Sequence, residues 1–327
     1  MFDNKIAKLA LLTLFILSFG AVGLYYFEQT PSLLDALWWS FVTITTVGYG
    51  DVTPATLGGR VTGVVVMVFG IGLLGMFTAT VASIFVEGKL KEAKGLKAVK
   101  IAGHFIICGW NDKVQEIVAE MRADKKTESR PIVLIADLPE KPLEDTQVYF
   151  ISGEVNTETL NKANLSEAAV VMIISDDGLD SHSSDAKVVF NTLSVRTLDA
   201  DIYICAEMRG PQHLEHCKSA GANEIVVIGA LSSHLLAQAA LDHGITHFIS
   251  DLISNRTGSN LYKIAPPDHL IGRAFIESLD MMKREHNAIV VAVESKDENR
   301  FLSNPSVDYA LQTDDLLVII SEIRPVL

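Results

Sequence analysis

Two long apolar runs near the start of the chain constrain its fold more than any other feature. Residues 7–27 hold one charged side chain, Lys8, and residues 61–86 hold none. At a rise of about 1.5 Å per residue, each run is long enough as a helix to cross a hydrocarbon layer of about 30 Å. The first run is too long for a typical signal peptide, and aromatic residues end it instead of a small-residue cleavage site. The sequence therefore predicts a membrane protein with two spans.

The rest of the chain differs in composition, which divides the sequence near residue 90. Residues 1–90 carry four basic and five acidic side chains, out of 27 and 40 in the whole chain, so most of the net charge of −13 lies beyond them. An acidic chain argues against a nucleic-acid partner, and a hydrophobic content of 49% excludes disorder. Three cysteines without a C-x-x-C motif indicate free thiols in a reducing compartment.

Lysines around the two runs predict the orientation of the spans. Lys5 and Lys8 lie at the N-terminal edge of the first run, and five lysines between residues 89 and 100 follow the second. Arg60 is the one basic residue between the runs. Because loops rich in Lys and Arg stay on the cytoplasmic side, both termini are expected in the cytoplasm. The sequence therefore predicts a multi-pass protein of the cell membrane.

A shorter apolar stretch between the spans leads into a loop that contains glycine. Residues 32–44 are too few to cross a membrane and predict a re-entrant helix of about 12 residues that starts near Pro31. Irregular backbone at membrane depth is tolerated only where it is buried in protein or lines a water-filled path. Positive φ at Gly48 and Gly50 would let the loop carbonyls point to one side. Four such loops would form rings of oxygens that replace the water around a potassium ion.

The loop Thr46-Val47-Gly48-Tyr49-Gly50, together with residues 35–40 before it, resembles the two-transmembrane potassium channels of prokaryotes. The resemblance implies that this loop is a selectivity filter in which backbone oxygens and the Thr46 hydroxyl hold potassium ions. It also implies a homotetramer, because one chain supplies one loop. Trp38 and Trp39 would then surround Tyr49, although a plain membrane-interface position explains at least one of them equally well.

Glycines in the second span have two interpretations. Gly70 matches the hinge glycine of the related channels, at which the helix would bend during gating. Alternatively, the glycines at positions 70, 72 and 75 allow helices to approach each other closely, as is common among membrane helices. Both interpretations of Gly70 stay open.

Beyond residue 90, short apolar runs alternate with helical patterns. Six runs are predicted to be strands, at residues 104–109, 130–137, 147–153, 169–175, 201–206 and 224–228. The alternation predicts a parallel, doubly wound sheet of the Rossmann type. After two helices at 229–245 and 246–255, strands at 288–293 and 316–320 predict a small α+β lobe. The fold class is therefore an all-α membrane pore joined to a Rossmann-like α/β domain with this lobe.

The turn after the first strand resembles a reduced dinucleotide-binding fingerprint. Of the glycines in G-x-G-x-x-G, Gly109 matches the first, and Asn111 stands where the second would let a pyrophosphate approach. Asp137 ends the second strand, where an acid would bind an adenosine ribose, and Lys113 would offset phosphate charge. NAD or an adenine nucleotide (ADP or ATP) is one interpretation of this crevice, and an empty crevice is the other. The candidate nucleotide-binding residues are Gly109, Asn111, Asp112, Lys113, Asp137, Gly153 and Glu154.

From residue 104 to the C-terminus the chain resembles the RCK domains, which regulate potassium conductance. The resemblance rests on the motifs around Trp110, Gly153, Glu207 and Gly221. It implies gating by cytoplasmic ligands and dimerisation of neighbouring domains through the two helices after residue 229. It leaves open whether additional soluble RCK subunits complete an octameric gating ring.

Calcium sites of this family use carboxylates after the fourth and fifth strands, which correspond here to Asp176, Asp177 and Glu207. Calcium takes six to eight oxygen ligands, and Cys205 stands where a further glutamate is expected. A weak or displaced calcium site and a solvated acidic loop are both compatible with this segment.

A second metal candidate consists of His213, His216 and Cys217, which lie at helical spacing. These residue types bind transition metals. Because no fourth ligand is visible in the sequence, a plain helix surface is the favoured interpretation.

These expectations define the predicted domains: a pore at residues 1–88, a linker at 89–102, a Rossmann-like lobe at 103–229, crossover helices at 230–259 and a C-terminal lobe at 260–327. The resemblance implies a potassium-selective channel gated by calcium, NAD or adenine nucleotides, and not an enzyme. A membrane-anchored NAD-dependent enzyme is one alternative, but it would favour an intact fingerprint. A nonselective cation channel is another, against which Tyr49 argues.

Overall fold

Two helices of membrane-crossing length flank a shorter one in the N-terminal unit of the chain, Met1–Glu92. The computed structural model describes residues 2–30, 32–295 and 300–325. The three helices are α1 (Phe2–Glu28), α2 (Leu33–Ile44) and α3 (Leu57–Ala93). Both α1 and α3 are long and apolar enough to cross a membrane. The 37 residues of α3 correspond to about 55 Å, well beyond the roughly 30 Å of a hydrocarbon layer.

The short helix α2 lies where the sequence predicts a re-entrant helix. It has 12 residues, and the Ser32 hydroxyl caps its N-terminus by accepting a hydrogen bond from the N–H of Leu34 at 3.1 Å. Pro31, near which the helix is predicted to start, lies outside the described residues. The predicted order of a long, a short and a long helix is confirmed.

Buried side chains hold the three helices together. One cluster consists of Ala21, Leu24, Ala36 and Trp39. A second cluster consists of Ile16, Ile44, Val66 and Leu73. Many other apolar side chains of α1 and α3, such as Phe15 and Phe69, are more than half exposed. Large exposed apolar faces of this kind are typical of helices that face lipid or other subunits.

A six-stranded parallel sheet lies at the centre of the second unit, Ala93–Leu327. Its strands are β1 (His104–Cys108), β2 (Ile132–Ala136), β3 (Val148–Ser152), β4 (Ala168–Ile173), β5 (Tyr203–Met208) and β6 (Glu224–Val227). The helices between them are α4 (Asp112–Ala123), α5 (Thr157–Lys162), α6 (Ser181–Leu198) and α7 (Leu214–Ser219). All six predicted strands are present, and the predicted Rossmann-type fold is confirmed.

The strand order in this sheet is β3-β2-β1-β4-β5-β6, so the order reverses between β1 and β4. In open parallel sheets, ligands bind outside the carboxyl ends of the strands at such a reversal. The strand β2 is buried along its whole length, and apolar clusters cover the two faces of the sheet. Burial on both faces explains why the strands are continuous apolar runs in the sequence.

Helices and an antiparallel sheet complete the second unit. The helices are α8 (Ile228–Leu241), α9 (Ile245–Ile253) and α10 (Phe275–His286). The strands are β7 (Asn260–Ile264), β8 (Ile289–Ser295), β9 (Arg300–Ser303) and β10 (Leu316–Ser321), in the order β7-β10-β8-β9. The strands predicted at 288–293 and 316–320 correspond to β8 and β10. The strands β7 and β9 and the helix α10 were not predicted.

The segment before β1 is attached to the α/β unit. The carbonyls of Ala93 and Gly95 accept hydrogen bonds from backbone N–H groups of the loop before β3 and of β3 itself, at 3.0 and 3.1 Å. The N–H of Val99 donates to the last residue of α5 at 2.8 Å, and its side chain is buried in a core cluster of the sheet. Residues 93–99, which are predicted to lie in a linker, therefore pack as part of this unit.

Candidate functional site

The loop after α2 has an irregular backbone in which left-handed residues recur. The φ angles are +63° at Thr46, +55° at Gly48 and +76° at Gly50. The backbone N–H groups of Val47 and Gly48 both point to the carbonyl of Val42, at 3.0 and 3.3 Å. The sequence predicts the positive φ of the two glycines but not that of Thr46, because β-branched residues rarely adopt it.

Trp38 supports this loop from α2. Its Nε1–H donates to Asp51 Oδ2 at 2.9 Å, and its ring stacks on Tyr49 with 6.0 Å between centroids and 8° between planes. Trp39 belongs instead to the buried cluster between α1 and α2. The resemblance implies both tryptophans as supports of Tyr49, and the contact between Trp38 and Tyr49 agrees with it. The role of Asp51 was not predicted, although this residue follows Gly50 directly.

Parts of the loop are open on a single chain. The side chains of Val47 and Tyr49 are 53% and 68% exposed. An apolar and an aromatic side chain at this exposure, next to an irregular backbone, are typical of a surface that another protein copy covers.

Gly70 lies where α3 approaches α2 closely. A Cβ atom at this position would lie 2.9 Å from Cγ1 and 3.2 Å from Cα of Ile44, whereas a Cβ atom at Gly72 or Gly75 would meet open space. The packing of this conformation therefore requires glycine at position 70. A hinge at Gly70 stays a prediction.

A crevice of about 240 Å³ lies at the reversal of strand order. Gly109 forms its floor with φ +103°, and a Cβ atom there would come within 2.9 Å of the carbonyl oxygen of Ile174. The crevice is lined by Gly109, Trp110, Ala136, Asp137, Leu138, Ile174, Asp176, Ser184, Lys187, Val188 and Asn191. Two of the predicted nucleotide-binding residues, Gly109 and Asp137, are thus brought together. Lys187 and Asn191 were not predicted, because nothing in the sequence of α6 marks them.

The other predicted nucleotide-binding residues do not line this crevice. Asn111 is buried, accepts the N–H of Lys113 at 3.0 Å and donates to the carbonyl of Ser175 at 2.9 Å. Asp112 is exposed at the start of α4, and the Lys113 side chain reaches toward β5. Gly153 and Glu154 lie just beyond the end of β3. The N–H of Gly153 donates to the carbonyl of Ala136 at 2.9 Å, and Glu154 is exposed.

Each of the three predicted calcium ligands has a lysine partner. Asp176 Oδ2 lies 2.9 Å from Lys187 Nζ, and the hydrogen bond from Lys187 lowers the pKa of this carboxyl group against the opposing effect of burial. Asp177 Oδ1 lies 3.6 Å from Lys113 Nζ, and Glu207 Oε1 is in hydrogen-bond contact with the same ammonium group. Asp176 and Asp177 therefore point to different partners, and the three carboxylates do not converge.

Burial of a further acid, Asp185 on α6, was not predicted. Its carboxylate accepts the backbone N–H groups of Arg209 and Gly210 at 2.7 and 3.1 Å, which fixes the turn after β5. In the sequence Asp185 is one acid among several in a polar segment, so nothing distinguished its structural role.

The histidines of α7 and the turn before it meet a third histidine. Nε2 of His213 lies 2.8 Å from Nδ1 of His182, while Cys217 faces the core and its pKa is raised by burial. Within the described residues, no three His, Cys, Asp or Glu side chains are grouped so that they could hold a metal ion. The interpretation of these residues as a plain helix surface stays a prediction.

Two family models match the chain. The Ion channel model matches residues 11–87, and the model for the RCK domain of slowpoke-like calcium-activated potassium channels matches residues 84–206. The calcium-gated potassium channel TvoK of Thermoplasma volcanium is 29% identical over 300 residues, which cover 90% of this chain and 84% of TvoK. The putative potassium channel protein YugO of Bacillus subtilis is 30% identical over 312 residues, which cover 93% of this chain and 92% of YugO.

Solved structures share the fold at low sequence identity. The human SLO3 gating ring matches with a TM-score of 0.54 and 19% identity, over 67% of this chain and 44% of the SLO3 chain. The GsuK channel bound to NAD matches with a TM-score of 0.51 and 17% identity, over 98% of this chain and 57% of the GsuK chain. The chain thus spans about half the length of these two structures, which support the fold alone.

Proposed function

Because this chain belongs to the family of potassium channels whose pore is followed by an RCK domain, we propose that four copies form one potassium-selective pore in the cell membrane. The chain is a ligand-gated potassium channel and a membrane protein, and it is not an enzyme. We infer that it works in an oligomeric assembly, because one chain supplies one copy of the loop after α2.

The conformation of the loop after α2 carries the proposal of potassium selectivity. Left-handed residues at positions 46, 48 and 50 change the direction of the backbone within a short segment, as a filter lined by carbonyl oxygens requires. Thr46, Val47, Gly48 and Tyr49 would coordinate the ion as it passes, and Gly50 would end the filter. A single chain offers one such loop with exposed side chains, which supports a tetramer around one axis.

We assign both termini and the RCK domain to the cytoplasm. Lys8 lies near the start of α1, and further lysines lie at the end of α3 and beyond it. Segments rich in lysine stay on the cytoplasmic side, which would place these lysines on one side of the two spans. A tetramer of this chain carries four RCK domains. A larger mass of the purified complex would indicate additional soluble RCK subunits.

The proposed ligand is an adenine nucleotide or NAD in the crevice at the reversal of strand order. The turn at Gly109 and the exposed carboxylate of Asp137, which line this crevice, fit the adenosine half of such a ligand. Asp137 would accept hydrogen bonds from the ribose hydroxyls, and Lys187 would face a phosphate group. The structural neighbour GsuK is described as bound to NAD, which supports the same class of ligand.

Calcium is the second candidate ligand, since the relative TvoK is calcium-gated. The residues predicted for calcium do not fit it in the observed arrangement. Calcium takes several oxygens around one point, whereas the carboxylates of Asp176, Asp177 and Glu207 are divided between two lysines. A response to calcium would therefore require another set of residues or a rearrangement of these.

Gating would pass from the RCK domain to the end of α3 and bend this helix at Gly70. A ligand changes the open fraction only by binding open and closed channels with different affinity. By the same linkage, opening the pore would change the affinity of the RCK domain for that ligand.

Flux through reconstituted channels tests the proposal. The full chain in liposomes should pass potassium in preference to sodium, and NAD or ADP on the side of the RCK domains should change the rate. Asp137→Asn should weaken the nucleotide effect at least tenfold, whereas Asp201→Asn, a control at an exposed aspartate before β5, should leave it unchanged.

The outcomes separate the parts of the proposal. Equal potassium and sodium flux would contradict potassium selectivity and favour a nonselective cation channel. Selective flux that does not change with NAD, ADP or calcium would support the proposed filter and contradict the proposed ligands.

A further inference from the structure

The ammonium group of Lys113 lies between two carboxylates from different loops. It contacts Glu207 Oε1 on β5 and lies 3.6 Å from Asp177 Oδ1 in the loop after β4. The Glu207 side chain is only 9% exposed, and that of Lys113 is 39% exposed. The lysine therefore approaches a buried acid from the solvent side.

A network of hydrogen bonds fixes this arrangement. Asn111 accepts the backbone N–H of Lys113 and donates to the carbonyl of Ser175 at 2.9 Å. The hydroxyl of Ser175 donates to the same Glu207 oxygen at 2.6 Å. The lysine thus begins in a capped first turn of α4, and its target oxygen is held by a second donor.

The carboxylates of Glu207 and Asp177 both lie at the ammonium group. The Ser175 hydroxyl contacts the same Glu207 oxygen, and oxygen donors of these kinds bind calcium. A buried carboxylate needs a positive partner, because an unpaired buried charge is strongly destabilising. Lys113 provides that partner within the chain, and its positive charge would repel a second cation at the same point.

We propose that Lys113 is a built-in substitute for a divalent cation at Glu207 and Asp177, so that the natural chain binds no calcium through Glu207. Replacement of the lysine by a neutral residue of similar length would open the site to calcium. The inference rests on the proposed function in one respect, since it concerns the regulatory domain of the same channel. It concerns cation binding, however, and not conduction.

Isothermal titration calorimetry, in which calcium is titrated into the full chain in detergent, tests this inference. Lys113→Met should bind calcium at least tenfold more tightly than the natural chain, and the double variant Lys113→Met/Glu207→Gln should lose this gain. Lys113→Arg keeps the positive charge and should behave like the natural chain. Lys218→Met, which removes a lysine paired with Glu215 on the surface of α7, is the control for a change in net charge.

Two results would overturn the inference. The first is a Lys113→Met variant that folds but binds calcium no more tightly than the natural chain. The other needs no lysine variant: calcium binding by the natural chain that Glu207→Gln abolishes would show that calcium already uses this acid. Because the readout is heat of binding, a channel that fails to conduct leaves this test intact.

Discussion

Trp38 connects α2 to the loop that follows it through both parts of its indole ring. The ring stacks on Tyr49, and the ring N–H donates to Asp51 at 2.9 Å. This hydrogen bond joins residues 13 positions apart, so it closes a loop around the segment proposed to bind potassium. A short irregular segment that is held at both ends keeps its carbonyl groups in one arrangement, which supports selection by backbone oxygens.

Trp38→Phe should remove the hydrogen bond and keep an aromatic ring beside Tyr49. The bond contributes about 1 kcal/mol, since its acceptor is charged but exposed. We expect the ratio of potassium to sodium flux to fall roughly fivefold. If the hydrogen bond causes the loss, Trp38→Phe/Asp51→Ala should be no worse than either single change, whereas additive losses would assign the effect to something else.

His104 at the start of β1 makes the stability of the RCK domain depend on pH. Its side chain is wholly buried, and Nε2 lies 2.8 Å from the carbonyl oxygen of Ala163. Burial lowers the pKa of His104 below its usual value of 6.5. The folded state therefore binds fewer protons than the unfolded state just below this pH, and the stability from His104 is complete above 6.5 and declines as the pH falls.

We expect the unfolding temperature of the full chain to decrease between pH 7 and pH 5 by more than in His104→Gln, which does not titrate. Thermal unfolding monitored by circular dichroism at each pH measures the difference. An identical pH dependence in the two proteins would mean that other acids account for the whole effect.

At the scale of elements, the sequence predicts most of what is local. The loop after α2 and the six parallel strands follow from short patterns: glycines at two positions of the loop, and apolar runs that are buried on both faces of the sheet. The strands β7 and β9 were not predicted. Both lie at the edges of the small antiparallel sheet and contain no continuous apolar run: β7 alternates exposed with partly buried residues, and three of the four residues of β9 are exposed.

The contacts within the candidate sites were less predictable. Lys113 and Glu207 are 94 positions apart, and the contact between Lys187 and Asp176 joins α6 to the loop before it. The sequence shows that Asp176, Asp177 and Glu207 are acids. Whether such acids bind a metal, however, depends on the charge of the side chains next to them. Those neighbours are set by the arrangement of α4, β4 and β5, which no single segment encodes.

Close packing at Gly70 gives a prediction about α3 and α2. Gly70→Ala should force Ile44 and its backbone to move, and overpacking of this kind costs about 1–3 kcal/mol. Gly75→Ala is the matched control, because open space surrounds that position on the single chain. We expect a lower unfolding temperature for Gly70→Ala than for Gly75→Ala, measured on the purified channel in detergent. Equal temperatures would contradict the packing role and leave the hinge as the reason for glycine.

At the scale of the whole molecule, α8 exposes three large apolar side chains on different sides of the helix. Leu231, Leu236 and Leu241 are 61%, 74% and 78% exposed on the single chain. Exposed leucines in this number indicate a covered surface in the assembled protein, and the resemblance to RCK domains implies that neighbouring copies of this helix cover each other.

Leu236→Glu should therefore weaken the assembly. Burial of one leucine contributes about 2 kcal/mol, so we expect the oligomer to dissociate at a lower temperature, measured by size-exclusion chromatography after heating. Gln115→Glu adds the same charge at an exposed position of α4 and should have little effect. Equal dissociation temperatures would place α8 outside the contacts between copies.

The attachment of residues 93–99 to the α/β unit has a mechanical consequence. A free linker over residues 89–102 could lengthen to roughly 45 Å and absorb any displacement of the domain behind it. Instead, α3 runs without interruption to Ala93, and from there the backbone is bonded to β3 and α5. Residues 93–99 could extend only after the backbone hydrogen bonds at Ala93, Gly95 and Val99 had broken.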